Sequence, residues 1–244
     1  RMIPFNVSTF DELGLPPVLS KLSERPRGLI LVTGPTGSGK STTLAAIIDK
    51  INKERKGHII TVEDPIEFIH RHQNCIVNQR EVGTDTKSFA SALKYALRED
   101  PDVILVGEMR DLETVSAALT IAETGHLALA TLHTNSAAES INRIIDVFPS
   151  TQQAQARAQL AFVLEGVLTQ TLLPRPGGGL AAAAELLMVG YGARQHIRKN
   201  SLQHLHQEIT MTRRHGSFTL EESLTRLVKD GHVSFAIEVA PDEG

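Results

Sequence analysis

Residues 34–42 read Gly34-Pro35-Thr36-Gly37-Ser38-Gly39-Lys40-Ser41-Thr42, and no other stretch constrains the fold as tightly. The run fits G-x-x-x-x-G-K-[S/T], a phosphate-binding loop that needs a strand before it and a helix after it. Both are present. Leu29-Ile30-Leu31-Val32 leads in as an apolar strand, and residues 44–51 lead out with helical spacing. Glycines at 34, 37 and 39 let backbone N–H groups turn inward around a phosphate, because no Cβ blocks them. The helix beginning near Lys40 adds its positive end. Lys40 is placed to reach the β- and γ-phosphates, and the Ser41 hydroxyl to ligate Mg²⁺. An ordinary glycine turn between strand and helix would explain the glycines, but not the Gly-Lys-Ser-Thr that ends the run.

The rest of the chain supplies the frame such a loop requires. Apolar bursts at 29–33, 58–62, 75–79, 103–106 and 127–132 read as strands. Between them, 88–98 and 112–124 carry apolar residues at helical spacing. Phe89, Leu93 and Leu97 mark one stripe, and Leu112, Val115, Leu119 and Ala122 another; both read as core packing. Strands alternating with helices specify an α/β fold around a mainly parallel sheet. Thr9-Phe10-Asp11-Glu12 fits a capping box for a short opening helix, which Pro16-Pro17 breaks and restarts.

Past Ser136 the pattern turns mostly helical, over 137–147 and over a long alanine-rich stretch, 152–172. Residues 174–179 form a loop without a phosphate role, since no Lys-Ser/Thr follows, and 180–189 is strand-like. Thr219-Leu220-Glu221-Glu222 opens a helix over 219–229, and 240–244 is expected to fray. The chain thus divides into a linker with opening helices (1–26), a core (27–190) and a C-terminal helical subdomain (191–244).

Hydrolysing a nucleotide takes more than a cradle: a placed metal, an oriented water and positive charge at the γ-phosphate are also needed. In parallel α/β sheets such groups gather beyond the carboxyl ends of the strands. Thr61-Val62-Glu63-Asp64-Pro65-Ile66-Glu67 closes the second strand, and its acids either orient a water or cap a turn before Pro65. Val103-Ile104-Leu105-Val106-Gly107-Glu108 sets an acid just past four apolar residues, the pattern of a Walker B strand, with Glu108 near the metal's water. The strand 127–132 is flanked by His126 and His133, either edge histidines or γ-phosphate sensors. A zinc site is not supported, because no close ligand set accompanies them. Arg80, Arg98 and Arg110 each stand beside acids, as local ion pairs or as contacts to a neighbouring subunit's nucleotide.

Composition narrows the partners. A formal charge of −3 argues against a broad nucleic-acid footprint. Cys75 is the single cysteine, cannot form an internal disulfide, and reads as a small buried hydrophobe. No apolar run approaches the roughly 18 residues of a membrane span, and no charged-then-apolar leader opens the chain. It begins at Arg1 rather than methionine, the start expected of a piece trimmed from something longer.

Together these stretches resemble the secretion ATPase superfamily, most closely its PilT-type twitching-motility ATPases, which retract type IV pili. Residues 34–42 look like the family's Walker A, 60–68 like its Asp box, 103–114 like its Walker B and 124–137 like its His box. The resemblance implies a RecA-like P-loop NTPase core with ATP and Mg²⁺ as cofactors and Ser41 and Glu108 at the metal. It puts Lys40, Glu63, Glu108, His133 and His126 in catalysis. It also implies a homo-hexamer that works on an inner-membrane pilus platform protein from the cytoplasm, peripheral to the membrane, without a membrane span or stable nucleic-acid contact.

Members also carry an N-terminal domain that supplies arginine fingers and falls before the position of Arg1, so the resemblance implies that residues 1–244 lack those fingers. Retraction members carry Ala-Ile-Arg-Asn-Leu-Ile-Arg-Glu near the C-terminus. The aligned stretch here is Gly192-Ala193-Arg194-Gln195-His196-Ile197-Arg198-Lys199, which keeps Arg194, Ile197 and Arg198. The competing expectations are an extension or secretion ATPase of the same superfamily, a RecA-like nucleic-acid translocase, and a nucleotide-binding scaffold. The translocase requires a basic, aromatic-bearing channel loop; the sequence shows none, and only 4% of its residues are aromatic.

Overall fold

A strand covered on both faces is apolar throughout, and β1 (Gly28–Thr33) is buried at all six positions. In the computed structural model, which describes residues 6–234, β1 follows a short helix, α1 (Leu19–Ser23), and feeds α2 (Lys40–Glu54). Then come β2 (Gly57–Glu63), β3 (Cys75–Glu81), α3 (Phe89–Ala96), β4 (Val103–Val106), α4 (Leu112–Glu123) and β5 (Leu127–Leu132). Two helices, α5 (Ala137–Asp146) and α6 (Gln153–Val163), precede a hairpin of β6 (Leu164–Pro174) and β7 (Leu180–Met188). The C-terminal helices are α7 (Tyr191–Arg198), α8 (Leu205–Met211) and α9 (Leu220–Lys229).

The strands form one sheet in the order β3-β2-β4-β5-β1-β6-β7, parallel except for the β6–β7 pair. This is the mainly parallel α/β sheet expected from the sequence. Side chains alternate across it: Leu29 and Leu31 of β1 enter one apolar cluster, Ile30 and Val32 the other. Helices α3 to α8 cover the first face, with Leu93, Leu119, Ile141, Leu160, Ile197 and Ile209 all buried. Helices α1 and α2 cover the second with Leu19, Leu22, Ile47 and Ile51. Cys75 is buried in that second cluster, and burial pushes its thiol pKa up.

Two expectations change. The helix over 152–172 stops at Val163, and its second half is β6, paired parallel to β1 and antiparallel to β7. Val167, Thr169 and Thr171 suit a strand, but a short apolar run does not by periodicity separate a buried strand from a buried helix. The capping-box bonds at Thr9 and Glu12 do form, at 2.8 and 3.3 Å, yet only a turn follows before α1. The box at Thr219 and Glu222 does start a helix, α9. The frayed tail at 240–244 lies outside the described residues.

Candidate functional site

The phosphate loop joins the C-terminal end of β1 to the N-terminus of α2. Gly34 (φ +140) has no room for a side chain, because a Cβ there would run into the backbone carbonyl of Gln170 and into Ser38. Among the loop amides from Thr36 to Ser41, only Ser38 N–H donates to a backbone carbonyl, that of Pro35 at 3.2 Å. Of the rest, Lys40 and Ser41 are first-turn donors of α2 and Thr36, Gly37 and Gly39 are loop donors, together concentrated where an anion can take them. The buried Ser38 Oγ is likewise without a partner.

Lys40 is buried and folded back on the loop. Its Nζ donates to the carbonyls of Gly34 (2.8 Å) and Pro35 (2.9 Å). Burial lowers its pKa, opposed by the nearby charges of Glu108 and Glu67. The same Nζ lies 3.5 Å from His133 Nδ1, and His133 Nε2 lies 3.2 Å from Glu108 Oε1. One imidazole therefore bridges the loop lysine and the acid beyond β4. The tautomer that satisfies both contacts carries its proton on Nε2.

Because β2 and β4 are neighbours in register, Val62 opposite Val106, their ends deliver Glu63 and Glu108 to one place. A cavity of about 670 Å³ is lined by the loop, by Glu63 and Glu108, and by Glu67, Arg110 and His133. The two acids sit in opposite environments. Glu63 is largely buried, which raises its pKa, although its Oε1 accepts bonds from Thr61 Oγ1 (2.6 Å) and Gln79 Nε2 (3.2 Å). Burial also pushes Glu108 up, but the hydrogen bond from Arg110 (2.6 Å) and the presence of His133 outweigh it, and the net shift is downward. A carboxyl that holds a proton more readily thus faces one that stays ionised.

His126 does not join them. It precedes β5 whereas His133 follows it, so the strand holds the two at opposite ends of the sheet, about 20 Å apart for six residues of extended chain. Its Nδ1 lies 3.1 Å from both Thr124 Oγ1 and the Ile121 carbonyl, local contacts at the end of α4. Two of the three arginines, Arg80 and Arg110, form ion pairs, but not with their immediate chain neighbours. Arg80 binds both carboxylate oxygens of Glu99, and Arg110 reaches back to Glu108, while Asp111 caps α4 through Thr114 N–H.

The sequence reading missed two glutamines. Gln79 donates to Glu63 and to the Phe68 carbonyl (2.8 Å) and accepts from His70 N–H (2.8 Å), so it holds both the acid and the loop beside it. A signal existed: Cys75 and Val77 mark the inward row of β3, and Gln79 is the polar residue next in that row. Gln170 touches the phosphate loop from β6 and had no signal, because that stretch read as helix.

For Mg²⁺, a hard cation that prefers a few oxygen ligands plus phosphate and water, the residues present are suitable. Ser41 is exposed at the mouth of the cavity, with no side-chain hydrogen bond among the described residues, and it shares that cavity with Glu108.

The raised pKa of Glu63 has a consequence for stability. The fold binds a proton there more tightly than the unfolded chain does. This contribution is therefore fully present below the unfolded glutamate value of about 4.3 and is lost as pH rises through the higher folded value. Glu63→Gln is expected to raise the thermal midpoint over wild type at pH 8, with the gap closing toward pH 4. A lower midpoint at pH 8 would show that the Thr61 and Gln79 bonds outweigh burial.

The family model for "Type II/IV secretion system protein" matches residues 7–234. The chain is 51% identical over 234 residues to the Pseudomonas aeruginosa protein named type IV pilus retractation ATPase PilT, covering 96% of this chain and 68% of that protein. It is 48% identical over 235 residues to the Neisseria gonorrhoeae twitching motility protein, covering 96% of this chain and 63% of that one. The crystal structure of the pilus retraction motor PilT with bound ADP superposes with a TM-score of 0.91 at 53% identity, over 100% of this chain and 70% of that one.

Proposed function

The chain belongs to the type II/IV secretion system protein family, and on that premise we propose that it is the ATP-hydrolysing motor core of a type IV pilus retraction ATPase. Residues 27–190 form the nucleotide-handling core, and the stretch from 191 to 234 a helical appendage. Six copies assemble into a ring that acts on a platform protein from the cytoplasmic side of the inner membrane. Among the described residues no helix is long and apolar enough to cross a membrane.

The carrying observation is the single cavity that gathers the phosphate loop, Lys40, Glu63, Glu108 and His133 at the carboxyl ends of parallel strands. Loop amides and Lys40 hold the β- and γ-phosphates. Ser41 and Glu108 hold Mg²⁺, which when bound offsets phosphate charge. Glu63 accepts the proton of the attacking water as its oxygen bonds to the γ-phosphorus; the β–γ bridging bond breaks and ADP leaves with its electron pair. The raised pKa makes Glu63 the better proton acceptor, and the lowered one keeps Glu108 anionic beside the cation. His133, between Lys40 and Glu108, registers whether the γ-phosphate is present.

The test is ADP binding by a fluorescent analogue together with phosphate release from ATP. Both are expected in Mg²⁺, and release is expected to stop in excess EDTA. A chain that binds no nucleotide overturns the reading.

A further inference from the structure

Gln170 is 2% exposed, and both ends of its amide are engaged. Nε2 donates to the Ser38 carbonyl at 2.6 Å, in the middle of the phosphate loop. Oε1 accepts from the Thr43 hydroxyl at 2.9 Å, in the first turn of α2. The backbone carbonyl of Gln170 occupies the space a Gly34 side chain would need, and its Nε2 lies 3.1 Å from where a Cβ on Gly39 would stand. One residue thus meets the start of the loop, its middle and the helix turn after it. The strand beneath is anchored too: Thr169 Oγ1 lies 2.9 Å from Thr33 Oγ1, the last residue of β1. An amide suits the place, offering a donor to a carbonyl and an acceptor to a hydroxyl without adding charge near a phosphate.

We propose that Gln170 is the positioning residue that holds the phosphate loop in its binding-ready shape. The proposal rests on the nucleotide reading above. A loop with three glycines is conformationally costly to order. If it were ordered only on binding, that cost would come out of nucleotide affinity. Gln170 ties the Ser38 carbonyl to the sheet side of the loop, so the cost is met when the chain folds. The loop grips phosphate in the ground state and the transition state alike, so losing the tie raises KM and leaves kcat nearly unchanged.

Gln170→Met keeps the volume and removes both hydrogen bonds. In the full chain, the Kd for ADP bearing an N-methylanthraniloyl label is expected to rise about tenfold or more over wild type. KM for ATP should rise in parallel, with kcat within about twofold. Gln170→Glu keeps the acceptor for Thr43 but sets a carboxylate against the Ser38 carbonyl. Its binding is expected to be weak at pH 8 and to recover relative to Gln170→Met as pH falls, because the protonated carboxyl again donates. A role in packing alone would not produce that recovery.

If Gln170→Met does not fold, the pH profile of Gln170→Glu carries the test. Near-wild-type ADP affinity in folded Gln170→Met, or a Gln170→Glu profile parallel to wild type, overturns the proposal and leaves the nucleotide reading standing. A wild-type chain that does not take up the labelled ADP removes both.

Discussion

Lys40→Ala is expected to lower kcat/KM for ATP by about 10²–10³, the effect of removing one preorganised donor from a site of developing charge. Its Nζ now rests on two loop carbonyls, Gly34 and Pro35, the nearest substitutes for phosphate oxygens within reach. A phosphate entering the loop offers the same ammonium a charged acceptor and a stronger bond. Burial already lowers the lysine's pKa, and an incoming anion would favour its charged form. Losing it should therefore weaken ADP binding as well as turnover. The fold should tolerate the change, since a desolvated cation is removed with its side chain. The measurements are steady-state phosphate release, a labelled-ADP titration and a thermal melt. Undiminished hydrolysis with an unchanged melt would remove Lys40 from the site.

Glu108→Ala is expected to separate what Lys40→Ala combines. Turnover should fall by about 10²–10⁴, the range for a carboxylate engaged in placing and polarising a reacting group. Nucleotide should still bind. Glu108 is an anion close enough to Lys40 to affect its titration, so deleting it removes negative charge from the pocket proposed to take the nucleotide. Affinity for nucleotide measured without Mg²⁺ should hold or tighten. His133 Nε2 and Arg110 would both lose their carboxylate partner, and the imidazole bridge to Lys40 would open at one end. Glu108→Gln keeps the shape and the acceptor oxygen while removing the charge, which separates lost charge from lost positioning. Wild-type turnover in either variant would count against Glu108 at the reacting centre.

The phosphate loop was readable from residues alone because its chemistry lies in consecutive backbone amides, and glycine spacing reports backbone freedom directly. The same holds for Glu108, an acid set just past a four-residue apolar strand. Parallel-strand logic then predicted that Glu63 and Glu108 would come together, since both follow strands whose carboxyl ends share an edge of the sheet. His133 belonged to that edge and His126 to the other. Both sat beside the same strand in the sequence, and only the direction of the chain through the sheet separates them.

What tertiary structure alone decided is carried by contacts between distant residues. Gln170 and Ser38 are 132 residues apart, and Glu63 and Gln79 are 16 apart on neighbouring strands. The stretch 164–174 is a strand because β1 and β7 stand on either side to take its backbone hydrogen bonds. Its own residues favour neither state strongly enough to announce it. Local rules reach only as far as a turn of helix or a strand's alternation. The residues proposed to handle the nucleotide were written in that short range, as was the inward place of Gln79 on β3; Gln170 was not, because a hydrogen bond across a sheet leaves no periodicity along the chain.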